Sequence, residues 1–508
     1  MGAAIHRVRQ GHGEAARLTA WRSGAGGDHH TRYEKSATAL VALARTLRRS
    51  PDVGGAAAFV ELYDQVADLP ADAFTRVWST DPGAYLWVHR AFDLTAACVG
   101  GAPPTRTVSA YVRARGVATL PDALARHLDD FKGLALATHL AAGRDCRLAA
   151  PWTVELPWAI PGTAQSVDGA GPASIFGLVD GALEIGTADR RLMLAIAGDS
   201  ADTMDANGAA LPRIRTCPVV ARGGCEIRLQ PHAFHLPGID DVEAVLAADL
   251  GYQAAHRQDV EDALAAVERF HPESFAEMRE SLHVVALKPL LAGGFTNLTH
   301  SDLPGAFIAG VVANRWELAD TFIHEMAHSR LFALENGGTF FDEAARDPVA
   351  DERYYSPWRD DPRPLRGVLH GVYVYVPVCV FWQRVLGSGV VSGDTAAYAL
   401  DRVLRIYAQL ELGLRELGAH AVPSARGRAL LDGLRVELDA IRDTTVAAGL
   451  PDDAPALVCG ADGVICPQRG ATTVRDAVRA HAERARAWRE EGTAPARVAS
   501  DIGRRDAP

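Results

Sequence analysis

Lysine is almost missing from this chain: of its 52 basic residues only Lys35, Lys132 and Lys288 are lysines, and the rest are arginines. None of the three follows a glycine, which excludes a phosphate-binding loop of the GxxxxGK type. Positive charge is also outweighed, since 63 acidic residues leave a net charge of −11. A nucleic-acid partner is therefore not expected, because neutralising a phosphate backbone needs surplus clustered cations. The seven cysteines are odd in number and scattered, so they read as reduced thiols in a cytoplasmic protein. No apolar run reaches the 18 or more residues of a spanning helix. The longest, residues 367–382, contains His370, and no membrane association is expected. The first thirty residues carry no hydrophobic signal core.

The length of 508 residues exceeds what one hydrophobic core holds, and 48% hydrophobic with 23% charged residues is ordinary globular composition. Residues 1–31 are rich in Gly and His without periodicity and are expected to be disordered. Residues 32–150 repeat apolar side chains at helical spacing, whereas residues 151–240 alternate short apolar runs with Gly, Pro and Asp in the manner of strands and turns. Residues 241–450 form the expected catalytic, metal-binding region, and residues 451–508 a C-terminal helix with a polar tail. Within the catalytic region two strands are expected at 282–287 and 306–312. Asn314 and Glu317 then resemble a capping box opening a helix that ends at Gly337-Gly338. Residues 365–386 fit a helix by length, although 372–376 alternate like a strand. The fold class expected is α+β, mostly helical, with a zincin-like strand-plus-HExxH-helix core.

The helix from Asn314 contains His324-Glu325-Met326-Ala327-His328. Two imidazoles at i and i+4 project from one face a turn apart, close enough to grip one metal. Phe322, Ile323, Ala327 and Leu331 supply its buried faces. A third protein ligand is needed, and the residues after His328 lack the Gly and His of a metzincin. Glu343 or Glu352 could serve, as in a gluzincin, but both stand in loop-like charged sequence. His370 is the better candidate, because a polar residue inside the most apolar stretch requires a partner; a hydrogen-bonded core histidine meets that demand equally. Arg363 and Arg366 precede His370, with Arg359 earlier. Guanidinium forks suit a dicarboxylate cosubstrate, while the plainer alternative is surface pairing with Asp360 and Asp361.

Residues 318–334, with the strand before them and Tyr355-Ser356-Pro357-Trp358-Arg359-Asp360-Asp361-Pro362-Arg363-Pro364 through His370-Gly371 after them, resemble the HExxH-type peptide-modifying proteins of ribosomal peptide natural-product pathways. That family is understood as iron(II)- and 2-oxoglutarate-dependent peptide β-hydroxylases. The resemblance is specific across residues 282–382 and thin elsewhere. No CxxxCxxC motif is present, so the chain looks like a stand-alone form rather than one fused to a radical-SAM enzyme. The resemblance implies Fe(II) on His324, His328 and His370, 2-oxoglutarate held by Arg363 or Arg366, and a precursor peptide as substrate. Glu325 then orients a ligand or a bound water. The alternative is a zinc metallopeptidase in which Glu325 is the general base.

Overall fold

The computed structural model describes residues 27–186, 191–197, 199, 211–234, 236, 249–290, 297–342 and 354–491. Seven helices come first: α1 (Gly27–Arg48), α2 (Ala56–Ala67), α3 (Ala71–Thr80), α4 (Pro82–Gly100), α5 (Arg106–Arg115), α6 (Leu120–Asp129) and α7 (Phe131–Ala141). Asp81, Thr105 and Thr119 cap α4, α5 and α6 by accepting from the backbone amides of Ala84, Val108 and Asp122. Because α1 begins at Gly27, residues 27–31 are helical rather than disordered; residues 1–26 lie outside the described residues.

An antiparallel sheet follows, β1 (Cys146–Ala159), β2 (Gln165–Val179), β3 (Ala182–Gly186) and β4 (Arg191–Ala195) in that order, with β5 (Arg213–Thr216) also paired to β2. Its first strand starts inside the stretch expected to be helical. The helices and this sheet do not form separate units. Phe59, Trp87 and Phe131 from the helices share one core with Trp152, Ile175, Leu178 and Ile214 from the strands.

The second sheet runs β6 (Val219–Arg222), β7 (Cys225–Leu229), β8 (Val284–Pro289), β10 (Ala306–Val311) and β9 (Leu298–Thr299). Strands β7, β8 and β10 are parallel, while β6 and β9 are antiparallel at the two edges. The boundary expected near residue 240 therefore fails: β6 and β7 belong to the same sheet as the strands beyond it. Nearly every residue of β8 and β10 is buried, which is why both read as unbroken apolar runs rather than alternations. Helices α8 (Leu250–Ala255), α9 (Arg257–Phe270) and α10 (Pro272–Ser281) link β7 to β8.

From β10 the chain enters α11 (Arg315–Glu335), which packs with α12 (Leu365–Gly387), α13 (Gly393–His420) and α14 (Ala425–Ala447). A hairpin of β11 (Leu457–Cys459) and β12 (Ile465–Pro467) precedes α15 (Val474–Glu491). Helix accounts for 56% and strand for 19% of the structure, so the mostly helical α+β class holds. Asn314 caps α11 by accepting from the Trp316 amide at 3.0 Å. The capping box is only half formed, because Glu317 turns inward toward Arg402 instead of back to Asn314. Phe322, Ile323, Ala327 and Leu331 are all buried. Helix α12 is helical throughout despite Pro377. By length and composition it could cross a bilayer, contrary to the run counted in sequence, yet 78% of its most apolar window is buried inside the protein.

Candidate metal centre

The single turn of α11 between His324 and His328 brings their rings to 4.8 Å and their Nε2 atoms to 3.2 Å. Two nitrogens each about 2.1 Å from one ion, at an angle between about 90° and 109°, stand about 3.0–3.4 Å apart. The observed separation falls inside that range, so this pair fits a metal ion. Protonation also favours it. Burial pulls His324 down to about 4, with Arg402 adding to the effect and Asp320 opposing it. Burial, then His324 and His370, hold His328 well below the ordinary histidine range. Both imidazoles are thus neutral near pH 7, the form that donates to a metal.

His370 arrives from the first turns of α12, and its Nδ1 lies 3.1 Å from Nδ1 of His328. Its Nε2 is 3.2 Å from Oε1 of Glu335, in the last turn of α11. Glu335 in turn accepts from Nε of Arg366 at 2.6 Å and from Nη2 at 2.5 Å. Burial alone would raise the Glu335 carboxyl, but Arg366 and His370 together bring it down to about 2. The three histidines therefore meet as a chain. His328 shows one nitrogen to His324 and the opposite one to His370, with Glu335 and Arg366 behind. A carboxylate-backed histidine of this kind orients a ligand from behind. Among the described residues no group of three or more His, Cys, Asp or Glu is arranged to hold a metal ion. His370, expected as the third ligand, is one residue removed from the point that His324 and His328 share. Glu343 and Glu352 lie outside the described residues.

No protein-family model matches the chain, and no curated protein matches it. What the site can do is read from its own residues.

Glu325 is 3% exposed and accepts from the Thr299 hydroxyl at 2.6 Å, so the edge strand β9 holds its carboxyl. Burial pushes that carboxyl up to about 7, against the opposing effect of the Thr299 hydrogen bond. The arginines are all engaged with carboxylates of this chain. Arg359 and Arg363 pair with Asp361, each at 3.2 Å, and Arg366 with Glu335. Surface pairing thus describes Arg359 and Arg363, while Arg366 reaches toward the histidines through Glu335.

Four contributors escaped the sequence. Glu335 stands eleven residues, or about three turns, after His324 and so shares its face. Asp320, one turn before His324, accepts from Trp382 Nε1 at 2.7 Å and from Arg402. Those two spacings could have been noticed. Tyr375, whose ring is 4.8 Å from that of His324, stacks on Trp358 at 5.2 Å. Neither aromatic stood out, because each sits among other apolar or loop residues.

Proposed function

We propose that this chain is an Fe(II)- and 2-oxoglutarate-dependent oxygenase that hydroxylates a β-carbon of a ribosomally made peptide. Its metal would be held by His324 and His328. The observation that carries the metal is the 3.2 Å approach of two half-buried imidazole nitrogens. When bound, iron with its cosubstrate supplies the oxygen chemistry that an unactivated C–H bond requires, and the protein supplies position and dryness. His370, backed by Glu335 and Arg366, fixes the ring of His328. Tyr375 and Trp358 wall the same face in aromatic carbon. The finer zincin-like description is part of this proposal: β10 leads into α11, and antiparallel β9 supplies the hydroxyl that holds Glu325.

The cosubstrate fits less well than the metal. Arg366 already holds Glu335 through Nε and Nη2, so its fork is not open to a second carboxylate, and Arg363 is turned to Asp361 through Nε. What supports 2-oxoglutarate is the motif resemblance over residues 282–382. A second reading, zinc peptidase, is favoured by one feature: a buried Glu325 near 7 is suited to taking a proton from a metal-bound water at neutral pH. Anaerobic loading with Fe(II) or Zn(II), followed by assays on a pool of synthetic peptides, separates the two. Succinate formation with a one-oxygen mass gain supports the oxygenase. Peptide cleavage with Zn(II) and no succinate with Fe(II) replaces it with the peptidase.

A further inference from the structure

A cavity of about 200 Å³ lies far from the histidines in sequence, between α4, α6, α7 and strand β1. None of His324, His328 or His370 lines it. Its wall is unusually aromatic: Trp87, Tyr111, Trp152 and Trp158 all contribute, with Trp152 and Trp158 edge to face at 5.1 Å. Arg90 lines the same space. It is 3% exposed, and its guanidinium lies over the Tyr111 ring at 4.7 Å. Its Nε and Nη2 are buried without a hydrogen-bond partner, and no ion pair is made to it among the described residues. Tyr111, Asp302 and Asp130 offset part of its charge, but buried N–H donors left without an acceptor are costly.

The other charges in the wall are accounted for. Asp130 is paired with Arg115 at 2.5 Å and also accepts from Trp152 Nε1 at 3.4 Å. Asp81 accepts from the amides of Ala84 and Gly162. Glu155 is at the exposed rim. His127 is tied through its Nε2 to the Trp87 carbonyl at 2.9 Å, while its Nδ1 is buried without a partner. One guanidinium, with two N–H groups left without a hydrogen bond and the charges of Asp302 and Asp130 near it but not bonded to it, thus lines a space walled by flat rings. The volume sets the size of the guest, since an apolar cavity of about 150 Å³ accommodates benzene. One ring and a carboxylate fill this one, and a dinucleotide or a folded peptide segment does not enter.

We infer that this cavity binds the carboxylate of a flat apolar acid through Arg90, the acid being either a small aromatic molecule or the carboxyl-terminal aromatic residue of a peptide. The inference is independent of the metal reading. Phenylacetate, its neutral counterpart phenylacetamide, and acetate are titrated into the full chain while tryptophan emission is followed. Phenylacetate is expected to give a saturable change, phenylacetamide to bind about 10–100-fold more weakly through loss of the charge-assisted hydrogen bonds, and acetate to give none. Arg90→Met, which keeps the length and removes the charge, is expected to abolish the preference for acid over amide. Trp158→Ala is expected to weaken both alike. If Arg90→Met fails to fold, the comparison of acid and amide on the wild type still decides. A peptide ending in Phe with a free carboxylate, tested beside its amidated form, distinguishes the sources: tighter binding of the free acid assigns the site to peptide termini, and binding of phenylacetate alone assigns it to small acids. Equal binding of phenylacetate and phenylacetamide, or no saturable change with either, overturns the inference and leaves Arg90 solvated by water.

Discussion

His328 stands between two other imidazoles and gives each a different nitrogen. This division of roles predicts unequal consequences on mutation. His324→Ala and His328→Ala should each eliminate stoichiometric metal binding, measured by metal analysis after dialysis. His370→Ala should leave the stoichiometry and lower the affinity about 10–100-fold, as loss of a group behind a ligand does. Complete loss of metal in His370→Ala would instead place that residue among the ligands. Glu325→Gln divides the two reactions: turnover persists in the oxygenase reading and falls about 10²–10⁴-fold in the peptidase reading, as loss of a general base does. The juxtaposition of His324 and His328 was legible because i and i+4 fix their face without reference to anything else. Which nitrogen of His328 meets His370 was not legible. That depends on ring rotamers and on how α12 rolls against α11, which no local spacing encodes.

At the level of elements, two glycines let the aromatic wall close. A Cβ on Gly371 would lie 2.4 Å from the Trp358 ring, and one on Gly413 would lie 2.7 Å from Val372 and 2.9 Å from Trp358. Gly371 adjoins His370 in α12, so its small size admits Trp358, which then stacks on Tyr375 beside His324. Gly371→Ala should destabilise the fold by about 1–3 kcal/mol through overpacking, seen as a lowered denaturation midpoint. It should also reduce activity by shifting Tyr375. The contact between Arg366 and Glu335 makes a separate prediction. If Arg366 is the clamp, Glu335→Gln should weaken its hold on the fork and tighten 2-oxoglutarate binding, whereas Arg366→Lys should loosen it because an ammonium lacks the fork. Unchanged 2-oxoglutarate binding in both variants would remove Arg366 from that role. Strand β10 and helix α11 were readable from an apolar run and a cap. Helix α12 was ambiguous in sequence because β-branched residues and a proline run through it; burial on most sides makes it a helix all the same.

Across the whole molecule, burial rather than segment order decides what folds together. The expected boundary near residue 150 cuts one core in two, because Trp152 and Ile175 pack against helix residues such as Trp87 and Phe131. Such pairings join positions far apart in sequence and leave no periodic trace. Burial also sets the pH response of the metal-free chain. It drives His127 down to about 3 and His283 down to about 4, with Arg90 adding to the first and Arg228 to the second, so both stay neutral when folded. The unfolded chain takes up those protons below about pH 6.5. Stability should therefore fall as pH drops from about 6.5 toward 4, by at most about 1.4 kcal/mol per unit and group. Glu325 acts in the opposite sense, since its raised carboxyl contributes stability that is lost as pH rises from about 4.5 through 7. Thermal unfolding at a series of pH values should show the decline, and His127→Gln should flatten it.

The most direct measurement is an anaerobic titration of the metal-free chain with Fe(II), followed by 2-oxoglutarate, monitored by metal analysis and visible absorption. One tightly held iron is expected, lost in His324→Ala, together with a charge-transfer band that appears only when 2-oxoglutarate is added. Absence of a stoichiometric metal in the wild type would contradict the metal centre, and bound iron that never responds to 2-oxoglutarate would contradict the oxygenase.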